Sequence, residues 1–281
     1  MIAPAILIMV ALVYVPLAIT FGQSFFRVDP MQPTTPFIGF RNYVRLFSDD
    51  DVARAWGNTF KYVAIAVTAE TLLGVGAALL INRMRRGRKV MIAVLILPWA
   101  LPPVIIALVW SWIYHPSAGL LTGILKQTGI LTENVVWFND PTTALVLISL
   151  VHIWRMMPQT AIIFLAALQL IPKELYEAGQ LDGAPRFTMF RLITLPLAAG
   201  GLAVALTQST VFAFNLFDEA WILAGRGLDT RTILMEVYVL AFLDLRFSYG
   251  MALSVLVMLA SIAISMLYVV RVQRDSGLDK S

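Results

Sequence analysis

Six runs of apolar residues, each close to the ~20 that a helix needs to cross a bilayer, limit what this chain can fold into more than any other feature. They lie near 2–26, 59–82, 90–114, 142–170, 196–217 and 247–270. Water cannot be the solvent for so much apolar surface, and the 59% hydrophobic content and mean hydropathy of +0.80 say the same of the whole chain. Hydrocarbon offers a peptide group no hydrogen-bond partner, so a spanning segment must be a helix or part of a closed barrel. Runs of this length are helical. The expectation is an all-α membrane protein of about six transmembrane helices, folded as a single transmembrane domain over residues 1–281. The first run has no basic segment ahead of it and no small-residue cleavage site after it, so it reads as a retained helix rather than a signal peptide.

Charge placement orients the helices. The turn at 82–89 carries Arg83, Arg85, Arg86, Arg88 and Lys89 and no acid, which marks it as cytoplasmic, the side where cations accumulate. Alternation then puts both termini and segment 172–194 inside, and 27–58, 115–141 and 218–246 outside. Eleven Lys/Arg stand against five Asp/Glu inside and nine against eleven outside, with Arg155 and Glu70 within spans. Trp56, Trp110, Trp112, Trp137 and Trp221 fall near outer ends, where an amphipathic ring anchors at headgroup level. Segment 119–129 places Leu120, Leu121, Ile124 and Leu125 on one side of a helical turn; a short surface-lying helix and a hydrophobic loop both fit it.

Several kinds of chemistry are excluded. The chain has no cysteine, hence no disulfide, thiolate metal site or cysteine nucleophile. Its two histidines, His115 and His152, leave little for a metal cluster, and no HExxH or GxSxG occurs. A phosphate-binding G-x-x-x-x-G-K-[ST] loop is also missing, so no nucleotide site and no cofactor site is expected in this chain. The net charge of +4 sits in membrane-orienting loops, so the partner it implies is membrane lipid and no nucleic acid.

The inner segment 171–197 carries the most specific signal. Pro172 stands where a helix can begin, Glu174 and Glu177 fall in its first turns where the helix dipole favours acids, and Gly183 with Pro185 ends it. The product is a helix of two to three turns between two spans. Small residues at 178, 179, 183 and 184 suggest a face that another protein's surface can approach closely.

Glu177-Ala178-Gly179, then Gly183, then Ile193, Leu195 and Pro196 resembles the EAA motif, E-A-A-x3-G-x9-I-x-L-P, of bacterial ABC importer permeases. The third position departs from it, Gly179 replacing alanine. The stretches at 37–43 (FIGFRNY), 97–103 (LPWALPP), 115–121 (HPSAGLL) and 171–178 (IPKELYEA) resemble the sugar and glycerol-3-phosphate branch of that family, in the first of its two permeases. The resemblance implies a type I importer-like permease of the bacterial cytoplasmic (inner) membrane, with loop 172–196 as its coupling segment. Glu177 would make the polar contact to an ATPase, Ala178, Gly179, Asp182 and Gly183 would sit in the contact, and Ile193, Leu195 and Pro196 would lead into the fifth span. It further implies a second homologous permease, two ABC ATPase subunits that hold ATP and magnesium, and an extracytoplasmic solute-binding protein.

Polar groups inside a bilayer are costly and therefore candidates for the solute path. These are Glu70, His152, Trp154, Arg155 and Gln159 in spans two and four, and Gln208, Phe212, Asn215 and Asp218 in or just beyond span five. Gln208, Phe212 and Asn215, spaced by four and three, share one helix face suited to a sugar's hydroxyls and its apolar ring face. Inter-helix hydrogen bonds and internal ion pairs explain the same residues. An ion-coupled secondary transporter, with Glu70 as the coupling acid, is the alternative reading.

The charge pattern generates a topology test. A reporter fused after Lys89 or at the C-terminus should read as cytoplasmic, and one placed within 218–246 as external. A cytoplasmic reading from the last would break the six-span alternation.

Overall fold

Four helices of the computed structural model are long and apolar enough to cross a bilayer, and two further helix pairs reach that length only together, each sharply bent at a break. The structure describes residues 3–28, 34–227 and 229–275, with side chains to 270. Ile2, residues 29–33 of the expected outer segment and the 276–281 tail lie outside the described residues. The helices are α1 (Ala3–Gln23), α2 (Arg41–Leu46), α3 (Asp50–Arg83), α4 (Arg88–Ala100), α5 (Pro103–Ile113), α6 (Leu120–Gln127), α7 (Pro141–Gln169), α8 (Lys173–Leu181), α9 (Arg186–Leu197), α10 (Ala199–Phe214), α11 (Asp218–Ala224), α12 (Ile233–Leu243) and α13 (Phe247–Asp275). The described residues form no strand beyond one isolated antiparallel bridge, Phe26 with Phe37.

Two expected spans fall on bent helix pairs. Span three is not one helix over 90–114 but α4 and α5, bent by 91°. Proline explains the break: Pro102 and Pro103 have no N–H to give, and Pro102 forces Leu101 out of the helical region, to ψ 142. Span five, expected near 196–217, falls on the second bent pair. It is approached by α9 from Arg186 and turns by 70° at Ala198 into α10. Proline acts differently in α1 and α9, where a π-helical turn, Val10–Tyr14 or Phe190–Thr194, ends two residues before Pro16 or Pro196. The wider turn absorbs the ring that would otherwise strike the preceding carbonyl. The helix that carries span two starts at Asp50, because Asp49 Oδ1 accepts the N–H groups of Asp51 (3.1 Å) and Val52 (3.4 Å).

Packing divides the chain into two compact units, Met1–Phe60 with Arg226–Ala260, and Lys61–Gly225 with Ser261–Ser281. In the first, Leu46, Val52, Ala55, Ile233, Leu240, Tyr249 and Leu253 form the core. Polar side chains tie its segments together: Asn58 Nδ2 donates to the carbonyls of Asp229 (3.0 Å) and Arg231 (3.1 Å), and Thr59 Oγ1 accepts from the Ile233 N–H at 2.7 Å.

In the second unit α7 is central, with fifteen buried residues, and α4, α5, α10 and α11 pack on it. Its start is specified by Asp140, whose carboxylate accepts from Thr143 N (2.7 Å) and Oγ1 (2.8 Å), with Pro141 at the first helical position. The Thr143 N–H holds the Asp140 carboxyl below its ordinary pKa. Two glycines set the approach of neighbouring helices. A Cβ on Gly74 would lie 2.7 Å from Thr160 Cγ2 of α7, and one on Gly201 of α10 would overlap the Ala167 methyl.

Gly201→Val should therefore lower the thermal unfolding midpoint, since overpacking a fitted contact costs about 1–3 kcal/mol. Gly200→Ala, with nothing within 4 Å of its Cβ position, should not lower it. Equal midpoints for the two variants would contradict the close α7–α10 packing.

Candidate functional site

The segment singled out by its sequence forms α8, and its ends are built as the residues require. Pro172 precedes it in extended geometry (φ −57, ψ 135), and Glu174 lies in its first turn. At the other end the Ala184 N–H bonds to the Gly179 carbonyl (2.9 Å) and the Gly183 N–H to the Gln180 carbonyl (3.1 Å), a Schellman pair. Gly183 takes the left-handed conformation that this cap needs, φ 73, with open space around it. Its glycine thus has a local backbone reason, and not only the expected one of a partner's approach.

Gly179 likewise meets its own chain. A Cβ there would lie 3.4 Å from Ile193 Cδ1 and from Met189 Cγ and Sδ, so the room it leaves is filled from α9. The Tyr176 hydroxyl pairs with Thr194 Oγ1 at 3.0 Å, and Tyr176 and Ile193 pack on the cluster of Ile81, Leu168, Ile171 and Ala198. One face of α8 is therefore fastened to α9. The opposite face, with Leu175, Glu177, Ala178, Leu181 and Asp182, is exposed, and Leu181 is 90% exposed. Neither Glu177 nor Asp182 forms an ion pair among the described residues. Leu195 and Pro196 are exposed in the last turn of α9, just before the bend at Ala198.

Sequence reasoning missed Leu181. The signal was present, since a leucine three residues after Ala178 and seven after Glu174 lies on the same face of an otherwise polar helix.

The intramembrane polar residues separate into two groups. Glu70 is closed inside the second unit and Arg155 is half-buried there. Arg155 Nε donates to Glu219 Oε1 at 2.7 Å, tying α7 to the first turn of α11. Glu219, 2% exposed at its side chain, was missed in favour of its half-buried neighbour Asp218; with both acids adjacent, the sequence does not say which one turns inward. Glu70 Oε1 accepts from Thr160 Oγ1 at 2.5 Å, and its other oxygen lies 3.9 Å from His152 Nε2. The Tyr62 ring stands edge-on to His152 with centroids 5.5 Å apart. Glu70, His152 and Tyr62 are all buried, so as placed they line no open path.

The second group is open. Gln208 and Phe212 are half-buried and Asn215 is exposed, its Nδ2 turned back to the Val211 carbonyl at 2.8 Å. With exposed Val204 and Val211 they form one face of α10, opposite the buried Ala205, Ser209 and Ala213. On α7, Trp154 is exposed and meets Trp110 edge-on at 5.8 Å, while Gln159 is half-buried with its Oε1 unbonded. Among the described residues no group of three or more acids and histidines could hold a metal ion.

Residues 70–275 match the family described as binding-protein-dependent transport system inner membrane component. The chain is 35% identical to the trehalose/maltose transport system permease protein MalF of Thermococcus litoralis, covering 98% of this chain and 94% of that one. It is 34% identical to the sulfoquinovosyl glycerol transport system permease protein SmoG of Agrobacterium fabrum, over 95% and 87%. Its fold matches a chain of a bacterial ABC transporter involved in the import of the acidic polysaccharide alginate, with TM-score 0.82, 25% identity and coverage of 96% and 93%.

The Arg155–Glu219 pair makes a measurable claim. Arg155→Met should destabilise the protein strongly, about 3–5 kcal/mol, because it leaves a buried carboxylate alone. Arg155→Met with Glu219→Leu should recover most of that loss in a thermal unfolding comparison. No recovery in the double variant would mean that the arginine acts elsewhere.

Proposed function

Since the chain belongs to the family of binding-protein-dependent transport system inner membrane components, we propose that it is the membrane-spanning permease through which an ATP-driven importer moves a sugar or sugar-like solute into the cytoplasm. The relatives named for trehalose/maltose and sulfoquinovosyl glycerol, and the alginate importer that shares the fold, support a carbohydrate-type cargo. This reading places the chain in a bacterial cytoplasmic membrane beside a second, homologous permease. Two ATPase subunits would hold ATP and magnesium, and an extracytoplasmic binding protein would deliver the solute.

The observation that carries the mechanism is the two-sidedness of α8. Its inner face is fastened to α9 by Tyr176–Thr194 and by the contact of Gly179 with Met189 and Ile193, while Leu181 and Ala178 face outward with nothing of this chain over them. A docking residue that is apolar, exposed and set on a short rigid helix has the character of an interface anchor. Movement of an ATPase cleft gripping this face would be transmitted to α9, and beyond the bend at Ala198 to α10, whose open Gln208–Asn215 face is proposed to meet the solute. Solute would pass between the two permeases as the paired halves alternate between inward and outward openings. An ion-coupled carrier is not favoured, because its coupling acid would need contact with an aqueous path and Glu70 is closed against Thr160.

In proteoliposomes holding the assembled transporter and its binding protein, Leu181→Asp should depress both solute uptake and binding-protein-stimulated ATP hydrolysis by at least about 30-fold, the scale of losing one hot-spot anchor. Membrane level and thermal midpoint should stay near wild type, since the side chain packs on nothing here. Uptake at full rate would show that α8 is a linker.

A further inference from the structure

Within the first unit, Arg27, Arg41, Arg45 and Arg246 line one cleft of about 160 Å³, together with Ser248 and Tyr249. Four cations around one small space repel each other unless something neutralises them. No ion pair occupies any of the four among the described residues. One nearby acid is already engaged: Asp49 caps α3 through Oδ1 and accepts from the Tyr249 hydroxyl through Oδ2 at 2.9 Å, and Asp244, two residues before Arg246, forms no ion pair among the described residues. Arg246 lies 4.1 Å from the centroid of the Tyr249 ring, and the Ser248 hydroxyl accepts the Val28 N–H at 3.2 Å. Asn42 holds the loop after α1 by donating to the carbonyl of Ser24 at 2.7 Å. Leu245, also at the cleft, has φ 55, the sole non-glycine positive φ among the described residues. Such strain persists where the surrounding structure over-determines a site.

The surroundings of the cleft identify its occupant. Arg27 follows α1, a span with no buried residue, whose apolar side chains run up to the arginines. On α2 and its flanks, Phe40, Val44 and Phe47, spaced by four and three, form an exposed apolar side next to Arg41 and Arg45, and Phe37 is exposed beside them. Apolar surface leading to a cluster of guanidinium groups at the end of a span matches a molecule with acyl chains and an anionic head. An acidic loop of a protein would use the arginines but not the apolar flank of α1.

We propose that this cleft binds the phosphate of an anionic phospholipid, in the outer leaflet on the charge-derived orientation. The α1 flank takes the acyl chains and the four arginines take the headgroup. The proposal rests on the membrane fold alone and stands or falls apart from the identity of the transported solute.

The test uses the full chain, purified in neutral detergent with the subunits that accompany it, and titrated with phosphatidylglycerol, phosphatidylcholine or inorganic phosphate. Retention is read by native mass spectrometry and the thermal midpoint is followed in parallel. Phosphatidylglycerol should bind in preference to phosphatidylcholine and raise the midpoint. Each arginine near an anionic headgroup is worth about fivefold in affinity, so Arg41→Gln with Arg246→Gln should weaken binding about 25-fold. Arg45→Gln alone, at an exposed position, should weaken it about fivefold without lowering the lipid-free midpoint, since one of four mutually repelling cations is removed. Phosphatidylglycerol binding that is equal in wild type and variants would overturn the site. Phosphatidylcholine binding as tightly as phosphatidylglycerol would overturn the role of the arginines. Displacement of the lipid by inorganic phosphate at similar concentration would make this a free-anion site and overturn the lipid assignment.

Discussion

A peptide group in hydrocarbon has no partner but another peptide group, and the shape of this protein follows from that restriction. Helices must be continuous across the bilayer, or their interruptions must be compensated locally. The chain uses both solutions. Before Pro16 and Pro196 a π-helical turn widens the backbone and the helical path continues. At Leu101–Pro102–Pro103 no widening accommodates two consecutive prolines, so α4 ends, the chain takes extended geometry for two residues, and α5 leaves at 91°. The 70° bend at Ala198 differs again: the residue keeps φ −89 and ψ 2, close to a helical turn, and redirects the path without a proline of its own.

The same restriction governs side chains. Of the ionisable groups in the second unit, Arg155 pairs with Glu219 and Glu70 Oε1 accepts from Thr160, while His152, the Tyr62 hydroxyl and the other Glu70 oxygen are enclosed with no hydrogen-bond partner among the described residues. Groups that the chain leaves open, Gln208 and Asn215 on α10, are uncharged amides. An amide tolerates exposure to lipid, to water or to another subunit at far lower cost than a carboxylate does, and it can exchange hydrogen bonds with hydroxyl groups. On the proposed reading, the Arg155–Glu219 pair belongs to the scaffold, and the amide face is the part of this subunit that would meet a polar solute.

Much of the architecture was legible because hydrophobic length is a one-dimensional property. The runs at 142–170 and 247–270 fall on α7 (Pro141–Gln169) and α13 (Phe247–Asp275), and the amphipathic 119–129 stretch is helical as α6, with Leu120 and Ile124 exposed. Bends were not legible: LPWALPP announces a break, but its angle depends on what packs against either half. Residues that act across the fold were also hidden. Glu219 cannot be told from Asp218 until α7 brings Arg155 to it, and Gly179 cannot be assigned a role until Met189 and Ile193 fold over it. The resemblance sets Gly179 and Gly183 in one small-residue motif, Gly179 at a position where the motif has alanine, and the structure gives them different settings, close packing for one and a left-handed cap for the other.

That difference bears on how α8 could transmit force. A short helix joined to its neighbours by flexible loops would swivel when pushed, and displacement at its outer face would be dissipated. Here the Schellman cap at Gly183 closes one end, Pro172 stiffens the other, and Tyr176 and Gly179 seat the middle on α9. Rotation of α8 about its own axis would break the Tyr176–Thr194 hydrogen bond and expose the Met189–Ile193 contact, whereas translation together with α9 breaks neither. Moving as one body with α9 is therefore the lower-cost response, and the first place where the backbone can absorb it is the bend at Ala198. On the proposed reading, the motion that an ATPase imposes on Leu181 would reach the membrane as a change in the angle between α9 and α10, the element that carries the open amide face.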